Sequence, residues 1–196
     1  LALAERLEAE GRLDDAAAIC RHVSDSDPED PRPRLLLTRL CEAMGDSATL
    51  KQELDGLVAI YLSQGQTAEA EAALRRMREI DPADLTLPER LGRALEEQGR
   101  SDEACDLYHE TALRHREQKE EAMARALLLP VKSARPERLD SRRLLAGICE
   151  ALGDTRSAAL EHMDLVRIAL DAQDAGQART EADQVVGGIL EGEEPP

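Results

Sequence analysis

The stretch GQTAEAEAALRRMREIDP, residues 65–82, has a counterpart 54 positions earlier, GRLDDAAAICRHVSDSDP at 11–28, and another 54 positions later, KEEAMARALLLPVKSARP at 119–136. The columns keep their character. The first holds Gly11, Gly65, Lys119 and, in a fourth partial copy, Gln173; five residues on stand Ala16, Ala70, Ala124 and Ala178; then come Val23, Met77, Val131 and Val185; and Pro28, Pro82 and Pro136 close the segment. Gly45, Gly99 and Gly153 form a second series with the same period. Self-similarity running the whole chain implies stacked supersecondary units, none of which buries its apolar face alone. The expected organisation is one array over 1–190, in units 11–64, 65–118 and 119–172 with a partial 173–190, followed by a disordered tail at 191–196.

Composition decides what the units are made of. Of 196 residues 42% are hydrophobic but only 1% aromatic, with no Phe or Trp and with Tyr61 and Tyr108 alone, so the core is Leu and Ala. These favour helix, whereas strands draw on β-branched and aromatic residues. The reading is all-α. Each glycine fits the left-handed residue after a helix, Ser47, Ser101 and Thr155 fit N-caps, and Asp27-Pro28 and Asp81-Pro82 end another helix in each unit. Helices are expected at 1–10, 13–25, 32–44, 47–64, 67–80, 86–98, 101–118, 120–133, 137–152, 155–172 and 175–190, about eleven in all and three per unit. Turns of two to three residues make neighbours antiparallel. At Lys119, where a glycine is missing, helix 101–118 is expected to run on.

The columns resemble the tetratricopeptide repeat. From Lys51 the 34-residue pattern is met by Leu57, Tyr61, Gly65, Ala70, Leu74, Met77 and Pro82; from Leu85 by Leu91, Gly92, Leu95, Gly99, Ala104, Tyr108 and Thr111. Flanking matches run through Gly11, Ala16, Cys20, Val23 and Pro28, through Ala124, Leu128, Val131 and Pro136, and through Leu145, Ala146, Cys149, Gly153, Ala158, His162 and Leu165. The large aromatic often found near the start of the first helix is absent, with Leu54 and Pro88 in its column, and spacings of 34 alternate with 20. One long helix, such as 47–64, therefore serves two repeats. The resemblance implies an α-solenoid with right-handed superhelix, altered by that sharing.

It also implies function: a protein-interaction scaffold binding a partner protein or peptide along a concave groove or an end face. Carried over, the groove positions are Arg32, Leu35, Leu36 and Arg39, then Glu89, Arg90 and Arg93, then Arg143 and Leu144. Arginines there suit a carboxylate or an acidic peptide. The plainer reading is a solvated face where Arg alternates with Glu, favoured by Gly147 in the column of Arg39 and Arg93. The alternative function is structural, homo-oligomerisation through Leu and Ala stripes at the array ends.

Charge and motifs exclude much else. With 25 Lys and Arg against 41 Asp and Glu the net charge is −16, which disfavours nucleic acid and anionic membranes. No apolar run has the roughly 18 residues of a membrane span. His109, Glu110 and His115 place two histidines six apart, on different helix faces, unlike the four-residue spacing of a zinc helix. His162 reads as a packing residue with a polar tip and His22 as exposed. Cys20, Cys41 and Cys149 read as small core hydrophobes in a reducing compartment, and Cys105, among Asp102, Glu103 and Asp106, as a surface thiol. Phosphate-binding and nucleophile motifs are missing. No catalytic, metal or cofactor site is expected, and no enzyme. The setting expected is bacterial and cytoplasmic, the chain reading as a piece of something longer.

Overall fold

The computed structural model describes residues 1–172 and 175–191. In them α1 (Ala2–Ala9), α2 (Leu13–Ser26), α3 (Pro31–Met44), α4 (Ser47–Ser63), α5 (Thr67–Ile80), α6 (Thr86–Glu97), α7 (Ser101–Glu117), α8 (Glu121–Ala134), α9 (Leu139–Ala151), α10 (Thr155–Asp171) and α11 (Ala175–Glu191) follow one another. No strand interrupts them among the described residues. Each boundary lies within two residues of its expected place. The chain is all-α, and its helices group into two units, Leu1–Arg100 with α1 to α6 and Ser101–Pro196 with α7 to α11. Within each unit every helix packs on its neighbours in the chain, in the manner of a solenoid. Gln173 and the tail beyond Glu191 lie outside the described residues.

Leu and Ala form the interior as composition requires. At the start of the first unit Ala4, Leu7, Ala16, Ala17, Cys20, Leu36, Leu37 and Leu40 make one buried cluster. The repeated alanines Ala16, Ala70 and Ala124 are each fully buried, which lets successive helix backbones approach closely.

The turns explain the period. At Gly65 the backbone is left-handed, φ 71°; its N–H bonds Leu62 O at 3.1 Å and the N–H of Gln66 bonds Tyr61 O at 2.8 Å. This pair of bonds satisfies two carbonyls orphaned at a helix end. Lys119 repeats it without a glycine. Its φ is 62°, its N–H bonds Arg116 O at 3.0 Å, and Glu120 N–H bonds His115 O at 2.9 Å. The expectation that the helix runs past Lys119 is thus overturned: α7 stops at Glu117, and the His115 and Glu120 side chains meet across the turn at 2.6 Å. A left-handed L-residue costs about 1–2 kcal/mol, partly returned because glycine is freer when unfolded. Lys119→Gly should therefore stabilise the protein by about 1 kcal/mol in urea unfolding, and a loss of stability would contradict this reading of the turn.

Capping differs by one residue from expectation. Ser47, Ser101 and Thr155 are first helical residues, and the caps of α4 and α10 are Asp46 and Asp154, whose carboxylates accept from the amides of Thr49 and Ser157 at 3.0 Å. Hydrogen bonds from the side chains and amides of those two residues hold both carboxyls below the usual range. Aspartate wins because its charge also suits a helix N-terminus.

Candidate functional site

Ion pairs between alternate helices sort the first unit into two layers. Arg39 of α3 reaches Glu8 of α1 at 2.6 Å, and Arg76 of α5 pairs with Glu42 of α3, so α1, α3 and α5 stand side by side. Arg90 of α6 reaches Asp55 of α4 at 2.6 Å, placing α4 and α6 together. The expected groove residues are consequently divided. Arg32, Leu35, Leu36 and Arg39 share the first layer, whereas Arg90 and Arg93 belong with α4. Helix sharing is the cause: α4 counts as second helix of one repeat and first of the next, so the first-helix role passes to the opposite layer.

A cavity of about 610 Å³ opens on the first layer, lined by Leu1 and Glu5, by Arg32, Leu35, Leu36, Thr38 and Arg39, and by Arg76. Leu35 is 43% exposed there, while Leu36, at 5%, forms floor and contributes mainly packing. Three guanidinium groups surround this apolar strip. Each holds one carboxylate of its own: Arg32 grips Asp30 at 2.8 Å, Arg39 holds Glu8, and Arg76 holds Glu42. The side chains of Arg32 and Arg39 remain 75% and 60% exposed. A guanidinium has five N–H donors, so one carboxylate leaves donors for an incoming acceptor. Arg76 escaped the sequence reading because 67–80 counted there as a second helix; the alternation of layers was the available signal.

Another cavity of this unit, about 380 Å³, lies between α4 and α6, with Lys51, Asp55, Asp84 and Arg90 on its walls. Lys51 is held between Asp81 at 2.8 Å and Asp84 at 2.9 Å, and these bonds raise its pKa. Arg90 holds Asp55 as well, so the two cations on these walls already pair with three carboxylates. Arg93 pairs with Glu89 on its own helix at 2.6 Å, as the plainer reading holds.

In the second unit Leu144 is core, 5% exposed, and lines no open face; Arg143 bonds Glu181 of α11 at 2.9 Å. Beneath them runs a buried ionic network. Arg142, 4% exposed, donates to the Pro136 carbonyl at 2.5 Å, to Glu161 at 3.1 Å and to Asp164 at 2.9 Å, and Lys132 closes on Glu161. Unit one has the same pair 108 positions earlier, Arg34 on Glu53 at 2.8 Å.

The histidines are all accounted for structurally. His162 is 9% exposed, in the column of Leu54 and Tyr108, with its ring nitrogens on Glu181 at 2.9 Å and Glu150 at 3.1 Å. His109 meets the Ser141 hydroxyl at 2.9 Å and lies 3.6 Å from Asp140. Burial pushes the pKa of His109 down, against the pull of Asp140. Ser141 is only 3% exposed, so this trio ties α7 to α9 and presents no accessible nucleophile. His115 spans the Lys119 turn, and His22 is exposed. Among the described residues no three His, Cys, Asp or Glu side chains gather as a metal-ligand set, and no helix is long and apolar enough to cross a membrane. Cys105 corrects the sequence reading: it is 2% exposed, a core position, while the neighbouring Asp102 and Asp106 stay exposed and pair with Arg135 and Arg138. Burial raises the thiol pKa of Cys20, Cys41 and Cys149.

Antiparallel helices repeating along the chain, with glycine turns and an open charged groove, define a helical-repeat protein. Residues 61–128 match the family profile of the tetratricopeptide repeat. Such repeats serve generally as protein-interaction scaffolds. Solved structures similar to this chain include BtubC from P. vanneervenii, at 15% identity over 98% of this chain and 94% of that one, TM-score 0.40. TTC0263, a thermophilic tetratricopeptide-repeat protein of Thermus thermophilus, matches at 18% identity over 97% of each chain, TM-score 0.35. The tetratricopeptide domain of P58(IPK) matches at 18% identity over 95% of this chain and 63% of that one, TM-score 0.34. No curated protein matches.

Proposed function

We propose that the chain is an interaction scaffold whose α1–α3–α5 face holds a segment of a partner protein bearing carboxylates beside an apolar side chain. The observation that carries this is the 610 Å³ cavity, where Arg32, Arg39 and Arg76 surround an exposed leucine in a protein of net charge −16. Elsewhere acidic groups would repel such a segment; here the guanidinium groups offer charged donors against an apolar floor. The apolar contact supplies affinity and the arginines supply register and selectivity. The reading assigns the chain no catalytic step, and the reducing cytoplasm is its natural setting, supported by four buried cysteines without disulfides.

A random peptide display library panned on the immobilised protein provides the test. Selected sequences should be enriched in Asp or Glu spaced around one large apolar residue. Arg39→Glu/Arg76→Glu should weaken them at least tenfold, since each charged hydrogen bond contributes about 1.5–3 kcal/mol. Selected peptides without acidic residues, or binding untouched by the charge reversal, would sink the proposal.

A further inference from the structure

The same helix columns meet different fates in the two units. On α4, Lys51 and Asp55 face α6 through Asp84 and Arg90. On α7 the equivalent Cys105 is buried and His109 meets Ser141 of α9, while Asp106, 72% exposed, pairs with Arg138 ahead of α9. On α10 the columns hold Ala159, Leu160 and Met163, and no described helix covers them: Leu160 is 54% and Met163 57% exposed, and Leu170, two turns on, is 60% exposed. In these columns Gln52 and Asp106 give way to Leu160, and Asp55 and His109 give way to Met163.

The exposed residues form a seam. Arg156, Leu160, Met163, Arg167 and Leu170 are all exposed and are spaced four, three, four and three apart, the a/d spacing by which two helices interlock. Single exposed leucines are ordinary, but Leu160, Met163 and Leu170 share one stripe of one helix, the pattern of an interface.

We propose that this stripe pairs with itself, α10 against α10 of a second copy, antiparallel about a two-fold axis at the level of residue 165. The charges of the helix select this occupant. Arg156 stands at its N-terminal end and Asp171 at its C-terminal end, both exposed, so antiparallel pairing brings each Arg156 within one helical turn of Asp171 of the partner subunit. Leu160 then meets Leu170 of the partner subunit twice over, and Met163 lies against the stem of Arg167 of the partner subunit. Arg167 is itself steadied by Asp164 at 2.9 Å. Two arginines balance two aspartates within the seam, so the overall −16 charge is not concentrated where the copies touch. Such a self-complementary patch closes as a dimer. This assembly stands independently of the groove, which lies on α1, α3 and α5.

Sedimentation equilibrium tests it from roughly 1 to 300 μM, because a dimer forms by mass action. The mass should climb from 21.5 kDa toward twice that value. Leu160→Gln/Met163→Gln, which changes no charge, should stay monomeric throughout with unaltered circular dichroism and melting. A wild-type monomer over the whole range would overturn the proposal, as would a dimer indifferent to the double substitution. For the register, Met163→Cys protein mixed with Arg167→Cys protein should oxidise to the mixed dimer in excess over either homodimer; a predominance of homodimers would refute the antiparallel seam.

Discussion

Arg142→Leu is expected to destabilise the second unit by about 3–5 kcal/mol, the cost of breaking a buried ion pair from one side. Arg142 is 4% exposed and Glu161 4% exposed, so removing the guanidinium strands a carboxylate away from water with only Lys132 beside it. The carbonyl of Pro136 also loses its donor. The pair itself contributes little net stability, because desolvation offsets most of its attraction. Hence Arg142→Leu/Glu161→Leu should recover most of the loss, with Lys132 and Asp164, about one-third exposed, turning to solvent. The repeat already shows such an exchange: Pro88 and Leu107 occupy the same two columns in the middle of the chain. Urea unfolding of the single and double variants decides it, and a double variant less stable than the single would contradict the account.

That network shows where sequence reading stops. Glycine, proline and capping residues act over three or four positions, so the helices at 13–26, 47–63 and 101–117 were legible almost to the residue. Lys119 was not, because residue type disfavours a turn that neighbouring helices and the His115–Glu120 contact impose. Arg142 looked like one more arginine among many, since burial of a charge depends on carboxylates 19 and 22 positions away. Cys105 was misjudged because acidic neighbours in sequence say nothing of the packing that leaves it 2% exposed. Of the groove positions expected from sequence, Arg32, Leu35 and Arg39 line one cavity together with Arg76, while the shared helix places Arg90 beside α4.

Leu74→Ala is expected to cost about 3 kcal/mol, the transfer of the lost methyl groups plus the cavity left behind. Leu74 is 1% exposed and lies in one column with Cys20 and Leu128, at 0% and 1%. What raises the cost here is the composition of the core. With no Phe or Trp in the chain and with fully buried Ala70 one turn away, few side chains have the length to swing into the space; Met77, 2% exposed, is the flexible neighbour. Cys20→Ala, in the equivalent place, removes one sulfur atom and should cost on the order of 1 kcal/mol. Thermal melts of both variants measure the contrast directly. Equal losses would mean that the column is held by backbone approach at the buried alanines and not by the side chain that fills it. A threefold difference would place the stability of each repeat in its large leucines, with the alanines setting only how closely the helices come together.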